Sequence, residues 1–168
     1  MEDIILMITI AVCLFTDLKY RKIFNIVLLP AIVLGIIFNI LNAGIWGLFF
    51  SVEGFFLGLI FLLLPYLGGG IGAGDVKLLA TIGAIKGADF VFLTFIGMGI
   101  AGGIIAIALL LYQRRLISTL KNLLTGLIIL FATKFKVVCF GSKGADNMFP
   151  YGVAITLGAV AAYMVGVT

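Results

Sequence analysis

Residues 67–85 read Leu67-Gly68-Gly69-Gly70-Ile71-Gly72-Ala73-Gly74-Asp75-Val76-Lys77-Leu78-Leu79-Ala80-Thr81-Ile82-Gly83-Ala84-Ile85. A glycine-rich turn runs straight into an apolar stretch, and Asp75 stands at the junction. A carboxylate at a membrane boundary is costly to desolvate and marks a functional position by default. A second aspartate, Asp17, sits in the same way at the end of the first apolar segment. Two such aspartates in one small apolar chain suggest that they work together.

The rest of the chain makes the membrane setting plain. Of its 168 residues, 64% are hydrophobic and only 11% charged, and the mean hydropathy is +1.35. Soluble domains are usually about 45–50% apolar and roughly 25% charged. The composition therefore predicts one all-α integral membrane domain over residues 1–168, with no room for a separate soluble domain. The chain has no histidine, which excludes a histidine-based zinc site and a Ser-His-Asp triad. Two cysteines, Cys13 and Cys139, lie in or beside apolar segments and read as buried apolar-like side chains. No metal and no cofactor is expected. The N-terminus lacks a basic leader region and reads as a retained first span.

A helix needs about 20 residues to cross roughly 30 Å of hydrocarbon. That length predicts six spans, at about 3–20, 24–42, 46–67, 75–87, 89–112 and 149–167. The apolar run inside 121–136 is too short to cross and reads as an interfacial or re-entrant helix between basic flanks. Pro30 is expected to kink the second span and Pro65 to close the third. The spacings Gly54-x-x-x-Gly58, Gly83-x-x-x-Gly87 and Gly99-x-x-x-Gly103 read as close helix packing. The net charge of +4 reads as orientation rather than nucleic-acid binding. An outside N-terminus puts ten of the eleven basic residues inside and leaves only Lys86 outside, with Glu2, Asp3 and Asp89. Asp17 and Asp75 then share one depth at the cytoplasmic face. Residues 3–16 rise only about 20 Å, so the first helix must run past Asp17 to Tyr20 or Lys22. The fourth span is short, and its inner end is expected to be open to water.

Two close carboxylates cannot both ionise easily, so one holds a proton while the other stays charged. Such a pair can activate a water and polarise a carbonyl at once, which is peptide hydrolysis without a metal. The glycines before Asp75 leave room for a substrate backbone. Two other readings fit the same residues. The aspartates could carry ions or protons, as in a small transporter or proton channel. They could also be structural: Asp75 as a helix cap, Asp17 paired with Arg21 one turn on.

Three strings then bear on the choice. Asp17-Leu-Lys-Tyr-Arg-Lys-Ile-Phe-Asn25 resembles the first signature of the type IV prepilin peptidases, a family that includes the preflagellin peptidases. Gly72-Ala-Gly-Asp75-Val-Lys77-Leu78 resembles their GxGD motif, and Phe149-Pro150-Tyr151-Gly152-Val-Ala154-Ile155 their last-span motif. The three stand in the same order, on the first, fourth and last spans, and the resemblance covers nearly the whole chain. It implies a membrane aspartic endopeptidase that removes the short basic leader of pilin, pseudopilin or archaellin precursors, after a glycine, at the cytoplasmic face. It implies Asp17 and Asp75 as the catalytic pair. Gly72, Gly74, Lys77, Asn25, Pro150, Tyr151 and Gly152 fall on its motifs as residues that bind substrate or shape the site. Lys77, two residues past Asp75, points away from it and either anchors the boundary or supports the site. The larger bacterial members carry two CxxC pairs and often methylate the new pilin N-terminus. No CxxC is present here, so methyl transfer is not expected.

The remaining expectations are smaller. The 113–148 segment is basic, as prepilin leaders are, so it is read as meeting anionic lipid headgroups rather than the leader. Glu53 lies on the side away from the aspartates, water-exposed or hydrogen-bonded. The partners expected are prepilin-like substrates and membrane lipid, not nucleic acid, and a homo-oligomer is compatible with the chain.

Overall fold

The computed structural model describes residues 2–112 and 151–166, and all its regular structure is helical. In chain order the helices are α1 (Glu2–Tyr20), α2 (Asn25–Ala43), α3 (Ile45–Leu67), α4 (Ala73–Tyr112) and α5 (Tyr151–Met164). Three of them, α2, α3 and α4, are long and apolar enough to cross a membrane. The expected helix at 121–136 lies outside the described residues.

α4 is two arms rather than one rod. Gly87 adopts φ 80° and ψ −175°, a backbone state open mainly to glycine, and interrupts the helix there. In a straight helix, residues 83 and 91 would be about 12 Å apart along the axis. Instead a methyl group placed on Gly83 would lie 2.9 Å from Val91 Cγ2. The chain therefore turns back on itself at Gly87, where the sequence reading separates its fourth and fifth spans.

The first arm, residues 73–86, is the centre of the bundle. Leu78, Leu79, Ala80, Ile82, Ala84 and Ile85 are all fully buried, as befits a helix apolar on every side. α3 packs along it backbone to backbone. A methyl group on Gly58 would lie 2.6 Å from the Leu79 carbonyl oxygen, and one on Gly54 would strike the Gly83 carbonyl. α2 closes another side, with Gly35 against Ile85. The buried Asn39 amide donates to Ser51 Oγ (2.8 Å) and to the Ala84 and Ile85 carbonyls (3.3 and 3.2 Å). These carbonyls sit at the end of the first arm, where the break at Gly87 leaves helix acceptors without their usual donors. The second arm packs on α5 through Gly97, whose methyl would lie 2.8 Å from Gly158 Cα.

Several details differ from the sequence reading. Gly99 and Gly103 have no neighbouring atom within contact range among the described residues, whereas Gly97 packs on Gly158. Gly87 both breaks the helix and packs closely on α3, where a methyl group on it would strike the Phe50 ring. Pro65 does not close α3, which runs two residues further to Leu67. α5 ends at Met164, short of the expected 167, and Gly166, with φ 81°, follows its end.

α1 is held most sparsely of the helices. Only Leu6, Thr9 and Cys13 are buried on it, a stripe at helical spacing along one face. It runs past Asp17 to Tyr20, as its length required, and ends on Arg21 at φ 52°.

Candidate active site

α1, α4 and α5 meet at one end of the bundle, and each brings one part of the site there. Asp17 lies in the last turn of α1, half-buried. Asp75 lies in the first turn of α4, about 9% exposed. Asp75 lies within reach of the Asp17 charge. The pair separated by 58 residues in the chain is therefore a pair in space.

Each carboxylate is held by a backbone amide. Asp75 is the third residue of its helix, and its carboxylate accepts the N–H of Gly72, just before the helix. This is the return half of a capping box, so the capping reading of Asp75 holds alongside any chemistry. The Gly152 N–H donates to Asp17 Oδ2 at 3.2 Å, from the free first turn of α5. A methyl group on Gly152 would strike that oxygen and lie 3.0 Å from Asp17 Cγ. Glycine is thus the one residue that allows this approach.

Asp17 and Arg21 form no ion pair; only a backbone bond, Arg21 N–H to the Asp17 carbonyl at 2.8 Å, joins them. Among the described residues no cation neutralises either carboxylate.

The other predicted positions separate into two groups. Tyr151, half-buried at the start of α5, lies within reach of the Asp75 charge and joins the site with Gly152. Gly72 and Gly74 shape the turn into α4, and a methyl group on Gly74 would press on Ile23 Cβ at 3.0 Å. Lys77 instead faces α2, where its Nζ donates to Asn25 Oδ1 at 3.1 Å. Two residues along a helix is a rotation of about 200°, so Lys77 and Asp75 leave α4 on opposite sides. Lys77 and Asn25 line an apolar cavity of about 280 Å³ between α2, α3 and α4, with Leu28, Ile32, Phe55 and Leu59. Pro150 lies outside the described residues.

A sequence model described as the type IV leader peptidase family matches residues 4–107. The chain belongs to that family. The match takes in Asp17, Asn25 and the Gly72–Lys77 segment and stops short of Tyr151 and Gly152. No curated protein and no solved structure gives a match. Family membership makes this a peptidase fold, and the end of the bundle where Asp17 meets Asp75 is its candidate centre. Among the described residues no group of three or more potential metal ligands is present.

The sequence reading missed a second polar cluster at the opposite end. Lys86, 8% exposed, pairs with Asp3 at 2.6 Å, and the Tyr163 hydroxyl donates to the same Asp3 oxygen at 2.8 Å. Beside it Asn42 donates to Glu2 at 3.0 Å. One signal was available: Lys86 is the lone basic residue on the side assigned to Glu2 and Asp3. Glu53 is exposed and takes no part in either cluster.

Proposed function

We propose that this protein is a six-span membrane aspartic endopeptidase. Its substrates are prepilin-like precursors, whose short basic leader it removes after a glycine at the cytoplasmic face. The observation that carries this reading is the pair Asp17 and Asp75, two carboxylates within charge reach that no cation neutralises among the described residues. In such a pair one carboxylate is charged and the other holds a proton. The charged member takes a proton from a water held between them as the water oxygen bonds to the scissile carbonyl carbon. The protonated member hydrogen-bonds the carbonyl oxygen and supports the charge that develops there. Collapse of the tetrahedral carbon breaks the C–N bond, and the departing amine takes up a proton from the pair. The Gly152 amide keeps Asp17 aimed, and the Gly72 amide does the same for Asp75.

The excess of basic residues on the Asp17 and Asp75 side supports a cytoplasmic location for the site. The cut then falls where a leader emerges from the membrane. The break at Gly87 supports counting α4 as two spans.

The test is leader removal in a membrane co-expressing a prepilin-like substrate, followed by gel shift. Wild-type protein converts the precursor, and Asp17→Asn and Asp75→Asn do not. Full conversion by either variant, shown to be folded and inserted, overturns the mechanism. Proton or ion flux in liposomes without cleavage returns the pair to the transporter reading.

A further inference from the structure

We propose that Lys86, Asp3 and Tyr163 form a positioning clamp that sets the depth of α1 and so brings Asp17 level with Asp75. The consequence for catalysis rests on the peptidase reading above; the clamp itself does not.

The same three helices meet at both ends of the bundle. At one end they contribute Asp17, Asp75 and Gly152; at the other, Asp3, Lys86 and Tyr163. Lys86 is eleven residues from Asp75, and Tyr163 is eleven from Gly152. Both segments rise about 16 Å, so the α4 arm and α5 form a frame of matched length. Asp3 and Asp17, fourteen residues apart, span about 21 Å on α1. The position of Asp17 is thus decided by where α1 sits against that frame.

Packing alone specifies that position weakly. The buried stripe of α1 is Leu6, Thr9 and Cys13, and two of these are small. Thr9 turns its hydroxyl back to the Ile5 carbonyl, 2.7 Å away, and so bonds to its own helix. Leu6 and Cys13, with the partly buried Ile5 and Ile10, pack on the core, and the directional contacts between α1 and the frame are polar and terminal. Among the described residues the buried Lys86 ammonium has one carboxylate partner, Asp3, and sits 5.5 Å from the Tyr163 ring centre. Asp3 receives both Lys86 and the Tyr163 hydroxyl on one oxygen. A buried cation with a single anionic partner resists any motion that separates them. A slide of α1 along its axis would open this cluster and the Gly152 to Asp17 bond together.

Cys13 supplies a native reporter. It lies one turn before Asp17 on the same face and is 1% exposed. The experiment measures N-ethylmaleimide labelling of Cys13 by peptide mass spectrometry in proteoliposomes, alongside the kcat and KM of leader removal. The variants are Lys86→Met, Lys86→Arg, Asp3→Asn and Tyr163→Phe. Lys86→Met and Asp3→Asn are expected to label Cys13 several times faster. They are also expected to lower kcat about tenfold or more with little change in KM, because the reacting geometry is disturbed and not substrate capture. Lys86→Arg restores both readouts, and Tyr163→Phe falls between. Should Lys86→Met fail to fold, the half-exposed Asp3→Asn carries the test. The proposal is overturned if Cys13 stays protected and kcat stays at the wild-type value. It is overturned equally if thermal stability alone falls. If the wild-type protein cleaves nothing, the peptidase reading fails, and Cys13 labelling still decides the clamp.

Discussion

At one end of the bundle Lys86 meets Asp3, with the Tyr163 hydroxyl on the same carboxylate oxygen. At the other end Asp17 meets Asp75, and the nearby cation, Lys77, is turned away to Asn25. The same three helices build both clusters from similar ingredients. The first is neutralised and satisfied, which is what a structural pair needs. The second holds two carboxylates within charge reach, each on a backbone amide and neither in an ion pair among the described residues. Such an arrangement costs folding free energy, and in the proposed mechanism it keeps a proton where one can be exchanged. The comparison sets the proposed fastening against the proposed reactive centre.

Breaking the reactive end has the largest expected effect. Asp17→Asn or Asp75→Asn should slow leader removal by about 10³-fold or more in a single-turnover gel assay, as loss of a general acid or base does. Gly152→Ala comes next. Its methyl group would press on the Asp17 carboxylate and displace it. A shift of this kind costs about 10²-fold in rate, so kcat should fall accordingly while the bundle stays folded by size-exclusion chromatography.

Substitutions between the two ends sharpen the contrast, since they should change stability more than chemistry. Gly54→Val drives a side chain into the Gly83 carbonyl and should destabilise the α3–α4 pair by about 1–3 kcal/mol. Asn39→Leu removes the donor shared by Ser51, Ala84 and Ile85. Interhelical hydrogen bonds in membranes average about 0.6 kcal/mol, so its cost should be near 1 kcal/mol. Denaturant unfolding in mixed micelles measures both, and residual activity at low denaturant should stay close to wild type.

Some contacts could be read in advance because they depend on local rules. Length forced α1 past Asp17, and the helix ends at Tyr20. A rotation of 200° put Lys77 opposite Asp75, and it is found on α2. Others depend on which faces meet. Gly99 and Gly103 have the packing spacing and Gly97 does not, yet Gly97 touches α5. Spacing identifies a smooth face, but the partner helix selects which face is used.

Composition by itself determined that this chain is an apolar helical protein, and its motifs marked Asp17 and Asp75 as the residues to watch. Both follow from short-range causes: the length of an apolar run, the period of a helix, the expense of a charge in hydrocarbon. Only the tertiary structure decided that the Gly152 amide supports Asp17 and that Lys86 closes on Asp3 at the far end. These contacts join residues 135 and 83 positions apart. They exist because the chain reverses at Gly87, which brings α1, the first arm of α4 and α5 together at both ends.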